Sequence, residues 1–509
     1  MKLQYLAFQE FDLHDNFFHL GGDSLKVIQM MNLLNNQGYD LSYENIYQTP
    51  TLSQLAAQLR PLKSATSELP IKLSWQSLLT PSQEFLLQTI KNPNYWAIPL
   101  LFKFESQKVD PDLLRQTISY IFDHHEAFHL RFQKTDHRWV QLYDPAWNTF
   151  VSPLEIHDLS TLSDQKITLH INMSTTTAHS LLDIQTGFMT KCILFECGPH
   201  RPQRLFFSIH HLICDGLSMI ILKEQLELVY KQISLGQSPK LPKNTRSLKD
   251  WIHCLKKAAY DPKFTHQLPF WKDQLKSLKF LPYDFKAEQI GPEHQIITHL
   301  SVDTTQSILN TLQNFDIKMR VFLLALLIQT LYEWTQNSSI SLLLTGHGRE
   351  QSISTMNLSQ TIGPFLSLFP VQFNFNPTQS FTTLCQNISN TLDQIPDHGI
   401  GYGILRYLGP QNLQDELACC GIPPLGFNFV GAVDQNESDT LFRSFISEEM
   451  GKEREHHSLP LRVAIIILDD HLSFMWSYSQ DHFHKTTIQK LISNYMKHLE
   501  DALCQLTHT

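Results

Sequence analysis

The 509-residue sequence has no apolar run long enough to cross a bilayer. Its longest mainly apolar stretch, Val321 to Leu331, falls well short of the roughly 20 residues that a spanning helix needs and reads instead as a buried helix. A secretion signal is missing as well, because the opening MKLQYLAFQEFDLHD carries acids where such a signal has an apolar core. There is no excess of basic residues: the formal charge of −9 gives no footprint for a nucleic-acid partner. The eight cysteines are scattered, and the one close pair, Cys419-Cys420, has neither disulfide nor zinc-ligand spacing. Adjacent histidines recur at 124–125, 210–211 and 456–457. Neighbouring side chains on a strand point to opposite faces, so such pairs make poor chelates. These absences predict a cytoplasmic protein with no metal, nucleic-acid or membrane partner.

The length calls for more than one core. The first sixty or so residues read as short helices: Ser24 stands as an N-cap ahead of Leu25, Ile28, Met31 and Leu34, Gly38 is a natural stop, and a second helix begins near Thr51 with Leu52, Leu55 and Leu59 on one face. RPLKSATSELP, from Arg60 to Pro70, loses that periodicity and reads as linker. Beyond it, RLFFSIHHLI and ISLLLTGHG read as buried strands and SMIILKEQLELVYKQ as an amphipathic helix, a mixture that favours α/β or α+β. The Pro- and Gly-bearing stretch from Gly236 to Arg246 is the best candidate seam in this larger region.

The most specific string is Asp15-Asn16-Phe17-Phe18-His19-Leu20-Gly21-Gly22-Asp23-Ser24-Leu25. GGDS alone could be an ordinary loop and capped helix, but two phenylalanines at a fixed offset ahead of it make that reading inadequate. The string resembles the carrier-protein signature DxFFxLGGDSL, whose serine accepts 4′-phosphopantetheine. Two glycines permit a tight turn, and a phosphate on the serine meets free N–H groups at a helix start. The segment departs from its family in beginning late, which implies a short first helix, and no adenylation domain precedes it.

A second set of boxes follows in order. Ile209-His210-His211-Leu212-Ile213-Cys214-Asp215-Gly216 resembles the HHxxxDG motif of the condensation superfamily, and Gly346-His347-Gly348-Arg349-Glu350 resembles the GHGRE box of its epimerization branch. Pro396 through Tyr407 is similar to a PxxGxGYG box, Gly426 through Gly431 to FNYLG, His124-His125-Glu126-Ala127 to HHDA, and Leu79-Thr80-Pro81-Ser82-Gln83 to LTPIQ. Singly each has a bland explanation: GHGRE reads as a solvated turn, and GxGYG as a packed glycine turn without the strand-turn-helix context of a nucleotide loop. Their order along the chain outweighs those explanations.

The resemblance implies a carrier plus epimerization unit of a nonribosomal peptide synthetase: an all-α helical bundle carrier domain followed by an α/β two-lobed chloramphenicol-acetyltransferase-like domain. The expected boundaries are residues 1–61 for the carrier, 62–73 for the linker, 74–245 for the N-terminal lobe and 246–509 for the C-terminal lobe. The implied reaction is L-to-D epimerization of an aminoacyl or peptidyl thioester tethered by 4′-phosphopantetheine to Ser24. Inverting a stereocentre needs a proton removed from one face and another delivered to the opposite face. The resemblance assigns these roles to His211 and Glu350, with His210, Asp215 and, more weakly, Asn428 in support. A neutral imidazole suits such work near pH 7. Glu350 needs burial to raise its pKa, whereas neighbouring Arg349 is expected to keep it ionised. Backbone N–H groups near the glycine-rich boxes are candidate donors to the thioester oxygen. The implied partners are a phosphopantetheinyl transferase, an upstream adenylation domain, a downstream condensation domain and the pantetheine-tethered amino acid or peptide.

Two positions depart from the epimerization pattern. Met219 stands where DGxSW has tryptophan, and Thr361-Ile362-Gly363-Pro364-Phe365 replaces TVGWF, with Pro364 closer to the condensation version. A peptide-bond-forming condensation domain and an inactive docking scaffold therefore remain alternatives.

Overall fold

The computed structural model describes the chain except residues 1–11, 18–21, 23–25, 28–29, 32, 35–36, 42–44, 47–48, 62–73, 91, 106–107, 137, 147–153, 242–246, 280, 288–289, 292, 355, 434–440, 445–452, 455–458 and 508–509. Ser24, its predicted capping role, the 62–73 linker, His456-His457 and the end of the 236–246 seam lie outside the described residues.

The N-terminal segment has its own small core of Phe17, Val27, Met30, Met31, Leu34 and Leu41, completed by Ile46, Leu52 and Leu55. The predicted second helix spans Leu52–Gln58 after Thr51. A two-residue antiparallel pair, Tyr39–Asp40 with Arg60–Pro61, ties the segment's end back on itself. Gly38 adopts a φ of +84°, consistent with the stop expected there.

The larger region holds two main sheets. In the N-terminal lobe five strands run in the order Arg443–Ser444, Ala97–Phe104, Gln203–His210, Thr190–Glu196, Leu154–Asp158. The central strand Gln203–His210 is almost wholly buried, which explains why RLFFSIH is a continuous apolar run rather than an alternating one. In the C-terminal lobe seven strands run in the order Ser367–Asn374, Ser339–Gly346, Leu425–Val433, Leu461–Leu468, His471–Ser479, Glu293–His299, Glu453–Arg454. Its middle is parallel: Ser339–Gly346 and Leu461–Leu468 both run alongside Leu425–Val433. The apolar stretch at 321–331 lies inside the helix Met319–Thr335 and is buried along nearly its whole length. No described helix is long and apolar enough to cross a membrane.

The chain crosses between lobes late. Arg443–Ser444, far into the C-terminal part, pairs with the edge strand Ala97–Phe104 of the N-terminal sheet, and Phe442 packs edge-on against Phe102 and Phe104. One continuous apolar core spans both lobes, so each main sheet has partners from the other half of the sequence.

Candidate active site

The strand Gln203–His210 delivers the histidine motif to the junction of the lobes. His210 is spent on structure: its Nε2 lies 2.6 Å from the Pro93 carbonyl, and its Nδ1 accepts the Leu212 N–H at 3.1 Å. That pattern puts the ring proton on Nε2, and burial lowers the pKa to about 3. The backbone N–H of His211 donates to the Trp96 carbonyl at 2.7 Å, which fixes where the second imidazole begins. Burial lowers its pKa too, opposed by hydrogen bonding to its own carbonyl and by the Asp215 carboxylate, so the His211 imidazole is neutral at pH 7.

Asp215 caps the helix Gly216–Ser234 by accepting the Ser218 N–H at 2.8 Å. Its Oδ2 also accepts the Phe365 N–H at 3.0 Å, and its Oδ1 meets the Arg349 guanidinium at 3.3 Å. Arg349 further donates to the carbonyls of Leu358 and Thr361 at 2.6 and 2.7 Å and to Ser218 Oγ at 2.9 Å. This fully buried pair joins the histidine motif to the GHGRE box, so His211 and Glu350 each lie a few residues from one member of the same ion pair.

The GHGRE box is no solvated turn. Arg349 and Glu350 are both buried. Gly348 has a φ of +66°, and a Cβ there would lie 1.7 Å from the Phe365 carbonyl oxygen, so only glycine permits the bend that follows the strand Ser339–Gly346. Burial, helped by the charge of Asp397, raises the Glu350 pKa to about 8. The expectation that Arg349 keeps Glu350 ionised is not met: the guanidinium is committed to Asp215 and to two backbone carbonyls, and burial prevails.

Two further expectations need correction. The packed glycine turn holds only for the first glycine of the GxGYG box: Gly399, at a φ of +89° and close against the Phe369 ring, ends the 3₁₀ segment Pro396–Gly399, whereas Gly401 and Gly403 sit inside the helix Ile400–Leu408. A Cβ on Gly401 would lie 2.0 Å from the Gln267 amide oxygen, so the missing side chain permits close helix packing. His124 and His125 are not strand neighbours either, since His124 ends the helix Pro111–His124 and His125 is its C-cap, with Nε2 2.7 Å from Gln225. Asn428 lies on the strand Leu425–Val433, half-buried, opposite Ala464 and next to a bulge between Phe429 and Gly431. Among the described residues no cluster of three or more His, Cys, Asp or Glu side chains could hold a metal ion.

Several further residues support the site, of which Trp96, Arg462 and Glu293 were not singled out by sequence. Gln83 donates to the Leu212 carbonyl at 2.8 Å, and Thr80 and Ser82 donate to the Pro364 carbonyl at 3.2 and 3.0 Å, so the LTPSQ box braces both the histidine loop and the 361–366 segment. The Trp96 ring lies 6.1 Å from that of His211 and 5.2 Å from the Arg462 guanidinium, which pairs with the buried Glu293 at 3.2 Å. The box resemblance already contained Gln83, but nothing in the sequence marks Arg462. The departing Met219 is buried with its sulfur 3.3 Å from that of Cys214.

The residues around position 24 fit a pantetheine attachment. Phe17 is buried, the Gly22 N–H donates to its carbonyl at 2.9 Å, and a Cβ on Gly22 would strike the Phe17 ring at 2.3 Å. The phenylalanine ring thus fills the space that a side chain at Gly22 would need. Leu217, in the first turn after Asp215, packs against this small domain's core, so the carrier sits at the start of the helix that leaves the histidine motif.

Comparison with known proteins agrees with this geometry. Residues 76–509 match the family described as Condensation domain, and residues 5–59 match Phosphopantetheine attachment site. The chain belongs to the condensation-domain family and carries a phosphopantetheine attachment site ahead of that domain. A linear gramicidin synthase of Brevibacillus parabrevis is 31% identical over 98% of this chain, and surfactin synthase subunit 2 of Bacillus subtilis (strain 168) is 28% identical over 97%. The chain spans only 7% and 14% of those two proteins' lengths. Among solved structures, the epimerization domain from the third module of tyrocidine synthetase B superposes with a TM-score of 0.77 at 26% identity, covering 85% of this chain and 97% of that one. SgcC5 protein from Streptomyces globisporus shares the fold at a TM-score of 0.70 and 16% identity, covering 84% of this chain and 99% of that one. The molecule is therefore a carrier domain joined to a two-lobed, chloramphenicol-acetyltransferase-like domain of nonribosomal peptide synthetase type.

Proposed function

We propose that the chain epimerizes the α-carbon of an aminoacyl or peptidyl thioester carried on Ser24, with His211 and Glu350 as the two proton-transfer groups. The observation that carries this reading is Glu350: a buried carboxyl with its pKa raised to about 8, one residue from the Arg349–Asp215 link to the histidine motif. Forming an amide from a thioester needs no second acid on the far side of the substrate, whereas inverting a stereocentre does. The likeness to a solved epimerization domain supports the same reading.

Bound phosphopantetheine supplies the flexible arm and the thioester, whose carbonyl acidifies the α-proton. The chain's own residues do the rest. His211, neutral through burial, takes the α-proton on one face while protonated Glu350 returns a proton on the other; the reverse reaction starts from charged His211 and ionised Glu350. Both arrangements hold one proton between the two groups, so the pair is competent between their pKa values. His210, Asp215 and Arg349 hold the segments that carry them. Asn428 is assigned to the same cavity, and the proposed domain limits remain 1–61, 62–73, 74–245 and 246–509. By the same reading a phosphopantetheinyl transferase loads Ser24, an upstream adenylation domain supplies the substrate and a downstream condensation domain receives it.

One observation favours the condensation reading: Pro364, the residue nearer to that branch, is held in place through its carbonyl by Thr80 and Ser82. The two separate on a single product. With Ser24 loaded from an aminoacyl-coenzyme A by a transferase, thioester cleavage and chiral chromatography should return both enantiomers from an L-load. An unchanged L-load that couples to an added acceptor would establish condensation instead. Ser24→Ala should abolish the single pantetheine addition seen by intact mass.

A further inference from the structure

His347, the unassigned histidine of the GHGRE box, has ring contacts that fix its tautomer. Its Nδ1 accepts the backbone N–H of Arg349 at 3.0 Å, and its Nε2 lies 3.2 Å from Glu350 Oε1. Burial lowers its pKa to about 3, so the ring is neutral and carries a single proton. An Nδ1 engaged as an acceptor leaves that proton on Nε2. The protonated Nε2 is therefore the ring atom nearest Oε1, at 3.2 Å, and a protonated Glu350 finds no acceptor there for its own hydrogen.

We propose that His347 is a positioning residue for Glu350: its Nε2–H holds Oε1 as a fixed acceptor and so confines the transferable proton of the carboxyl to Oε2. This rests on the epimerase reading for its catalytic meaning, though not for its geometry. No bond changes in the His347 ring. Proton transfer occurs at Oε2 alone, with Oε1 remaining the hydrogen-bonded oxygen in both protonation states. A donor to a carboxyl also favours the ionised form, so His347 pulls the acid down against its own burial.

The surrounding charges do not duplicate this role. Asp397, on the Pro396–Gly399 segment, raises the Glu350 pKa and is itself paired with Lys263 at 2.7 Å. His398 on that segment and Arg320 on the helix Met319–Thr335 act electrostatically on His347. From the N-terminal lobe Asp215 is held by Arg349, and His211 is neutral through burial. Of these, His347 is the group with a ring N–H placed on the carboxyl.

The test compares two variants of similar polarity in the full chain. In His347→Gln the longer amide reaches the position of Nε2 and keeps a donor for Oε1; in His347→Asn the shorter amide keeps the Nδ1-like acceptor for Arg349 but loses that reach. Titration of the Glu350 carboxyl by infrared difference spectroscopy, assigned with Glu350→Gln, reads the interaction without turnover. His347→Asn should move the titration to higher pH by about one unit and lower kcat about tenfold with KM for the loaded carrier unchanged. His347→Gln should restore both toward wild type. An unchanged carboxyl titration in His347→Asn, or equal shifts in the two variants, overturns the proposal. If the wild-type chain fails to invert its thioester but the titration still moves, the epimerase reading fails and the positioning role stands.

Discussion

The two motifs of the candidate site use one physical cause to opposite ends. In the histidine motif burial pushes His211 down, and in the GHGRE box burial pushes Glu350 up, so each group is driven to its neutral form. A site that exposed both groups to bulk water would hold a carboxylate beside a partly protonated imidazole near pH 7. Here a neutral imidazole and a neutral carboxyl coexist, which is the one-proton state that the proposed two-sided transfer requires. The charges that remain, Asp215 and Arg349, are paired with each other and join the two motifs, while Asp215 also partly offsets the lowering of the His211 pKa.

Breaking that join should have the largest effect. Arg349→Ala leaves Asp215 as an uncompensated buried charge, and Asp215→Ala does the same to Arg349; either should cost about 3–5 kcal/mol of stability, read by denaturant unfolding. A loss under about 1 kcal/mol would mean that the lobes are held together by their shared core alone. Next comes the chemistry: His211→Ala or Glu350→Gln should slow inversion by a factor on the order of 10² or more with melting temperature nearly unchanged. His210→Ala should instead lower the melting temperature together with activity, since both its ring nitrogens bind backbone.

The contrast between the two motifs also predicts opposite pH slopes. The native state keeps the Glu350 proton between the ordinary value of 4.5 and about 8, where the unfolded chain has released it, so this group makes stability fall as pH rises through that window. His210, held down at about 3 from 6.5, leaves the native state unprotonated where the unfolded chain takes up a proton, so it makes stability fall as pH drops from 6.5 toward 3. Glu350→Gln should flatten the alkaline slope and leave the acid slope intact. In the same way inversion by the wild-type chain should decline above about pH 8 as Glu350 ionises.

The smallest effect concerns the departures. Met219 is buried against Cys214, so Met219→Trp, which restores the residue of the DGxSW pattern, should overpack the site at a cost of about 1–3 kcal/mol. A neutral or stabilising result would point to a space beside Met219 that the tryptophan fills.

Much of this was legible in the sequence. The buried strands at 203–210 and 339–346, the helix after Asp215 and the helix near Thr51 all follow from periodicity, because each buries one face or both. The two boxes that carry His211 and Glu350 were found by resemblance, and the Arg349–Asp215 pair connects them. What remained hidden depends on distance along the chain. Arg443–Ser444 adds to a sheet some 340 residues earlier, and Arg462 reaches across the lobes to Trp96; no local pattern encodes either. The state of Glu350 was half legible: burial was foreseen as its lever, but Arg349 lies next to it in sequence and points elsewhere in space. Gly401 and Gly403 misled because a turn, which Gly399 does make, and a closely packed helix both favour glycine.

The most direct test of the two-sided transfer is solvent exchange at the α-carbon. The chain is loaded on Ser24 with an L- or a D-aminoacyl thioester in heavy water, and the released amino acid is analysed for chirality and mass. Wild type should bring both loads to the same mixture with deuterium at the α-position. Each single variant, His211→Ala or Glu350→Gln, should lose inversion while the remaining group exchanges the proton on its own face. Full inversion with deuterium uptake in the folded His211→Ala, Glu350→Gln double variant would contradict the account.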